Sequence, residues 1–176
     1  MASRRWLAEC ARRAQWIRDG GLVAEEDVSQ VDKRAHAVLA EINALGFVTA
    51  DSQEGAARNR ERAYVIGFLP KGTVPEFLAA VNRASGMVAW AHSPLPPGET
   101  GRQALPVTLD AKGNGVTWAH MLGTEEDIAR ETKFARLGRF RGSIAMVACV
   151  DAVWGRLAFR PGGLFPAVRD ALASLG

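Results

Sequence analysis

At 176 residues the chain is long enough for one complete core and too short for two ordinary domains. Apolar residues make up 48% and charged residues 23%, which excludes a largely disordered polypeptide. Twenty-two Lys plus Arg against nineteen Asp plus Glu leave a net charge of +3, too small to demand a polyanionic partner, so nucleic-acid binding is not implied. Cys10 and Cys149 lie in apolar surroundings with no Cys-x-x-Cys spacing and read as buried, reduced thiols. Arg4 and Arg5 give the N-terminus positive charge, but Glu9, Arg12 and Arg13 interrupt any export-type apolar core. The longest apolar run, Ile144 to Val150, is far short of a membrane span, and a cytoplasmic protein with no membrane partner is expected.

In chain order, residues 3–18 carry Trp6, Leu7, Cys10, Ala14 and Ile17 at spacings of three and four among arginines, the stripe of an amphipathic helix, stopped by Asp19-Gly20-Gly21. A second helix is predicted from about Ser29 to Leu45, with Val31, Ala35, Val38, Leu39 and Ile42 on one face and Gly46 as its stop signal. It delivers the chain to a strand that ends in Thr49-Ala50-Asp51-Ser52-Gln53. A second strand follows at 63–68. Thr73 is placed to cap a third helix, with Glu76 closing a capping box and Phe77, Leu78, Val81 and Ala84 on its buried face. Gly86 to Ala91 reads as a strand, followed by the Pro- and Gly-rich loop through Ser93–Gly101.

Pro106–Leu109 and Gly115–Trp118 form a predicted hairpin around Asp110–Asn114. Thr124–Asp127 opens a short helix with acidic residues where the macrodipole favours them. Ser143–Val150 is the strongest strand and reads as buried on both faces; Leu164–Leu175 is a last amphipathic helix. No internal repeat is evident. The order of elements predicts a single α+β domain with a mixed, mostly antiparallel sheet and flanking helices.

A strand end dense in hydroxyl, carboxylate and amide groups is suited to holding a ligand, which makes Thr49, Asp51, Ser52 and Gln53 candidate site residues; a polar hairpin connection is the plainer alternative. Neither a phosphate-binding glycine loop nor a Gly-x-Ser-x-Gly motif is present, and the three histidines are scattered. His92 and His120 each follow Trp-Ala at a strand end, but no carboxylate or thiolate completes a ligand set, and no metal or catalytic residue is assigned. The arginines at 58, 60 and 62 and at 136, 139 and 141 fit solvated surface or an acidic partner.

From Leu39 to Ala173 the chain resembles the C-terminal regulatory domain of eukaryotic methylenetetrahydrofolate reductase, which binds S-adenosylmethionine. Gly46-Phe47-Val48-Thr49-Ala50-Asp51-Ser52-Gln53 is similar to that family's Gly-apolar-apolar-Thr-x-Asn-Ser-Gln block, Arg62–Phe68 to its following aromatic strand, and Gly115-Val116-Thr117-Trp118 to its Ala-Val-Thr-Trp block. The resemblance implies a pocket for an adenosyl amino acid, contacted by Thr49, Ser52 and Thr117, with Asp51 or Glu54 offsetting a sulfonium charge and Trp118 as a wall. Asp51 and Glu54 depart from the family's Asn and Pro, and Lys133–Gly142 replaces an aromatic-rich segment. With no catalytic barrel or flavin segment, reductase activity does not transfer. The leading expectation is a small-molecule-binding domain for S-adenosylmethionine or a related nucleoside, with no other cofactor. The alternatives are a protein-binding modulator, of viral or mobile-element origin, that meets its partner through Arg136, Arg139 and Arg141, and an enzyme using Asp51 or Glu54 near Ser52. Homodimerisation is left open.

Overall fold

The computed structural model describes residues 3–20, 33–55, 58, 60–92, 105–116 and 125–175. Its helices are α1 (Arg4–Arg18), α2 (Lys33–Ala44), α3 (Val74–Arg83), α4 (Glu125–Phe134) and α5 (Leu164–Ala173). Its strands are β1 (Val48–Gln53), β2 (Tyr64–Pro70), β3 (Met87–Ala91), β4 (Thr108–Leu109), β5 (Gly115–Val116) and β6 (Ile144–Asp151). Four of them form one sheet in the order β1-β2-β6-β3, and β4 and β5 form a separate hairpin. The fold is α+β as expected. Every strand pairing among the described residues is antiparallel.

β6 is apolar almost throughout because both of its faces are covered. Val147 and Cys149 join a core built with α2, α3 and α5 around Phe47, Phe77 and Phe165. Met146, Ala148 and Val150 join a second core with Trp6, Phe68, Leu137 and Phe140. Alternation of side chains across a strand assigns the two sets to opposite faces. Gly67 is required where β2 passes under Phe47, since a Cβ there would lie 2.8 Å from the ring's Cζ and closer still to Val48 O.

In α1, Ser3 Oγ accepts from Trp6 N at 3.2 Å, and Trp6, Cys10, Ala14 and Ile17 are buried as their spacing predicts. Leu7 is exposed, because it lies one position off that stripe. Trp6 fixes the helix: its indole N–H donates to Gly46 O at 2.8 Å and its ring meets Phe140 edge-on at 5.2 Å. The expected capping box on α3 does not form. Thr73 Oγ1 donates back to Pro70 O at 2.8 Å, which closes a short 3-10 turn, Lys71–Thr73, ahead of the helix. Residues 29–32 of the expected second helix lie outside the described residues.

One helix-to-strand device is used twice. At the end of α2, Phe47 N–H donates to Ile42 O at 3.3 Å and Gly46 N–H to Asn43 O at 3.1 Å, the paired bonds of a Schellman cap with Gly46 at φ 116°. Asn43 then reaches β1, where its Oδ1 accepts from Thr49 N at 3.0 Å and its Nδ2 donates to Thr49 Oγ1 at 2.7 Å. At the end of α3, Asn82 does the same for β3: its Oδ1 accepts from Ala89 N at 2.8 Å and its Nδ2 donates to Ala89 O at 3.0 Å, after Gly86 at φ 77°. β1 and β3 are the two edges of the sheet. Each edge therefore has an asparagine amide standing where a neighbouring strand would bond, which blunts it against edge-to-edge pairing. The sequence carries this repeat as Ile42-Asn43-x-x-Gly46-Phe47-Val48-Thr49 and Val81-Asn82-x-x-x-Gly86-Met87-Val88-Ala89, at two places where no repeat was evident.

Candidate functional site

A bulge interrupts the β1–β2 register between Thr49 and Asp51, and it divides the candidate residues between the two faces of the sheet. Thr49, opposite Gly67, and Ser52, opposite Val65, share the face covered by α2, α3 and α5. Asp51, opposite Ile66, and Gln53, opposite Tyr64, share the other. Thr49 is fully buried and belongs to the hook: its hydroxyl takes the Asn43 amide, and its carbonyl accepts from Arg13 Nη2 at 3.0 Å. Thr117 and Trp118 lie outside the described residues, as do His120 and the Ser93–Gly101 loop.

Asp51 and Gln53 enter a polar network at the end of the sheet where β1 stops and β2 starts. Asp51 Oδ2 accepts from Tyr64 Oη at 2.9 Å, and Oδ1 accepts from Ser52 N at 2.8 Å. Burial, and next the charge of Asp51, push the Tyr64 phenol far above its ordinary value, so it stays protonated. Gln53 Nε2 donates to Arg62 O at 2.9 Å, Arg62 N to Val107 O at 2.8 Å and Arg62 Nη1 to Pro106 O at 3.0 Å; these bonds tie the β4–β5 hairpin segment to the sheet. The Arg62 guanidinium stacks 4.2 Å from the Trp154 ring centroid. Beside it, Asp151 is fully buried and gripped by Arg156, whose Nη2 is 2.7 Å from Oδ1, while Val153 N donates to the same oxygen at 2.9 Å. Most of these groups partner one another, while Arg62 Nε is buried with no hydrogen bond among the described residues.

The opposite end carries a cleft of about 310 Å³ between α4 and the sheet. Glu125, Ile128, Ala129 and Thr132 line it at helical spacings of three, four and seven, so one face of α4 forms a wall. Phe68 and Lys71 at the end of β2, Arg141 and the start of β6 at Ile144 and Ala145, and His92 just past β3 form the rest. Lys71 N donates to Ser143 O at 2.9 Å and His92 N to Met146 O at 2.9 Å, which sets these residues on one continuous rim. Thr132 is buried and turns its hydroxyl to Ile128 O at 2.6 Å. Lys71, Glu125 and Arg141 have no side-chain hydrogen bond or ion pair among the described residues. An apolar floor with charges of both signs at its lips is the composition of a small-molecule site, and the volume falls at the low end of the ~300–1,000 Å³ usual for one. None of Thr49, Asp51, Ser52 and Gln53 is in this lining.

A family model described as a domain of unknown function (DUF6919) matches residues 13–175. The chain belongs to the DUF6919 family. None of the curated proteins matches it. The matched span contains the sheet, the polar network and the cleft, whereas the first nine residues of α1, including Trp6 and Glu9, precede it. Glu9 is nonetheless buried and bridges Arg12 on its own helix to Arg139 Nη2, 2.8 Å away. The 136–141 arginines therefore have different surroundings: Arg139 is tied to Glu9, Arg141 lines the cleft, and Arg136 is exposed at a left-handed turn, φ 57°. Among the described residues no group of three or more His, Cys, Asp and Glu side chains is placed to hold a metal, and no helix is long and apolar enough to cross a membrane. The cleft residues carry a sequence signal only in part. The α4 face is legible as helical spacing, but its meeting with Phe68 and Lys71 joins segments more than fifty residues apart.

Proposed function

We propose that this DUF6919 domain binds a small molecule in the cleft between α4 and the β2–β6–β3 end of the sheet, with S-adenosylmethionine or a related nucleoside as the ligand class. The observation that carries the reading is the cleft itself, whose floor of Phe68, Ile128 and Ile144 offers a surface for a planar or apolar group beneath a charged rim. The adenosyl part of the proposal comes from sequence likeness alone, that of the Thr49–Gln53 and Thr117–Trp118 blocks to a regulatory domain that binds such a ligand, and Thr49–Gln53 lies outside the lining of the cleft. Binding without turnover is the simpler reading, because Asp51, the acid or base the sequence offered, already accepts from Tyr64 Oη at 2.9 Å and lies outside the lining of the cleft. A protein-modulating role has less support, since Arg139 is already engaged by Glu9.

Calorimetry with S-adenosylmethionine and S-adenosylhomocysteine tests the proposal. A saturable signal is expected, weakened at least tenfold by Ala129→Phe, which fills the cleft from the α4 wall. No heat with either compound, or with adenosine and common nucleotides, would sink the reading. Binding unaffected by Ala129→Phe would move the site elsewhere. Product analysis after long incubation with S-adenosylmethionine separates binding from turnover; recovery of unchanged ligand is expected.

A further inference from the structure

We infer that the cleft sorts its ligands by charge polarity: it takes a zwitterion with an apolar or aromatic body, the anionic group set against Lys71 and Arg141 and the cationic group against Glu125. The inference rests on reading the cleft as a small-molecule site and adds which ligands it accepts and which way round they lie. Its basis is the separation of signs between the walls. Both cations belong to the sheet wall: Lys71 directly follows β2, Arg141 lies just before β6, and the Lys71 N to Ser143 O bond of 2.9 Å holds the two segments together. The carboxylate belongs to the helix wall, where Glu125 opens the α4 face that continues through Ile128, Ala129 and Thr132.

Between the two lips the lining is apolar, from Phe68, Ile128, Ala129, Ile144 and Ala145. The cleft's other polar side chains are His92 and Thr132, and the Thr132 hydroxyl is turned to its own helix at Ile128 O. The sheet-end network offers the contrast, because there Asp151 and Arg156 neutralise each other directly. At the cleft Lys71, Arg141 and Glu125 lack any such partner among the described residues and are available to a ligand. A ligand bearing one charge of each sign satisfies both lips; a neutral nucleoside satisfies neither, and a polyphosphate meets Glu125 as a like charge.

The experiment uses the full chain and four probes, S-adenosylmethionine, S-adenosylhomocysteine, adenosine and tryptophan, the last paired with tryptamine and indole-3-acetate, which each lack one charge. The variants are Lys71→Gln, Arg141→Gln and Glu125→Gln, all at exposed positions, with the thermal midpoint measured as a control on folding. The expected result is that the adenosyl amino acids bind at least tenfold tighter than adenosine. Each variant should weaken S-adenosylhomocysteine and tryptophan, which carry one charge of each sign, by roughly tenfold, the order of one charge-assisted hydrogen bond, and leave adenosine unchanged. Equal affinity for adenosine and the adenosyl amino acids, insensitive to all three variants, overturns charge sorting while the nucleoside reading stands. If no nucleoside binds but tryptophan does, ahead of both its singly charged analogues, the nucleoside reading fails and the sorting holds. Failure of every zwitterion to bind removes both.

Discussion

The two ends of the four-stranded sheet use charge in opposite ways. Where β1 ends and β2 begins, Asp51 is bonded to Tyr64, Gln53 to the Arg62 carbonyl, Arg62 is stacked on Trp154, and Asp151 is locked in the grip of Arg156. Where β2 ends and β6 begins, Lys71 and Arg141 face Glu125 across an apolar cleft, with no partner among the described residues. A buried charge has to be paired to be tolerated, whereas an exposed one is solvated and contributes little to stability. Density of polar residues therefore marks structure at the first end, and the sparser polar set over an apolar floor is the site proposed for a ligand.

That contrast is broken most forcefully at Arg156. Arg156→Ala leaves the fully buried Asp151 carboxylate with one backbone donor from Val153, and unfolding free energy is expected to fall by about 3–5 kcal/mol in urea titrations. A loss below ~1 kcal/mol would show that water reaches Asp151 and that the network is open. Next in size are the edge hooks. Asn43→Ala strips fully buried Thr49 of both its amide acceptor and its hydroxyl donor, and a loss of about 2–3 kcal/mol is expected, against about 1 kcal/mol for Asn82→Ala, whose residue is solvent-exposed. Equal losses would mean that the two hooks are equivalent despite their different burial.

Alkaline pH sharpens the same comparison, since the deeply buried acids lie in the core and the network rather than at the cleft. Burial, and next the charge of Glu9, push the Cys10 thiol up from 9.0 to about 12, and burial raises Cys149 and Tyr64 as well. A raised pKa means that the folded state holds the proton more tightly. Its contribution is complete below pH 9.0 and is lost as pH climbs towards about 12. Stability should fall by about 1.4 kcal/mol per pH unit for each buried thiol above pH 9.0, with Tyr64 adding to the slope only above 10.0, and Cys10→Ala should make the slope shallower. A flat profile from pH 8.5 to 10.5 would contradict the burial of the thiols. The smallest effects belong to the cleft: Lys71→Gln, Arg141→Gln and Glu125→Gln should each change stability by no more than ~0.5 kcal/mol while altering ligand affinity. A larger loss at any of them would make that residue a structural one.

Much of the secondary structure was legible because burial writes itself at a fixed period. The stripe of Trp6, Cys10, Ala14 and Ile17 and the unbroken run of β6 both follow from which faces are covered. The repeated Asn–Gly hook was present in the sequence but hidden by a one-residue difference in spacing, and Asn43 or Asn82 alone carries no sign that its amide will cap an edge strand. The Thr49–Gln53 block shows where local chemistry stops being informative. Its hydroxyl, carboxylate and amide groups are as suited to internal hydrogen bonds as to a ligand, and the bulge after Thr49 sends alternate members to opposite faces. A single extra residue in a strand leaves no compositional trace.

From the sequence alone came an α+β domain, its helices and main strands, and the burial of Cys10 and Cys149, because hydrophobic periodicity and turn chemistry act over a few neighbouring residues. Tertiary structure alone decided that Asp151 is neutralised by Arg156, that Glu9 of α1 takes Arg139 out of the exposed arginine cluster, and that Lys71, Arg141 and Glu125 meet across one cleft. The physical reason is that pairing and desolvation depend on distance in space, and the sheet order β1-β2-β6-β3 brings β2 against a strand whose paired residues lie 74 to 86 positions further along the chain.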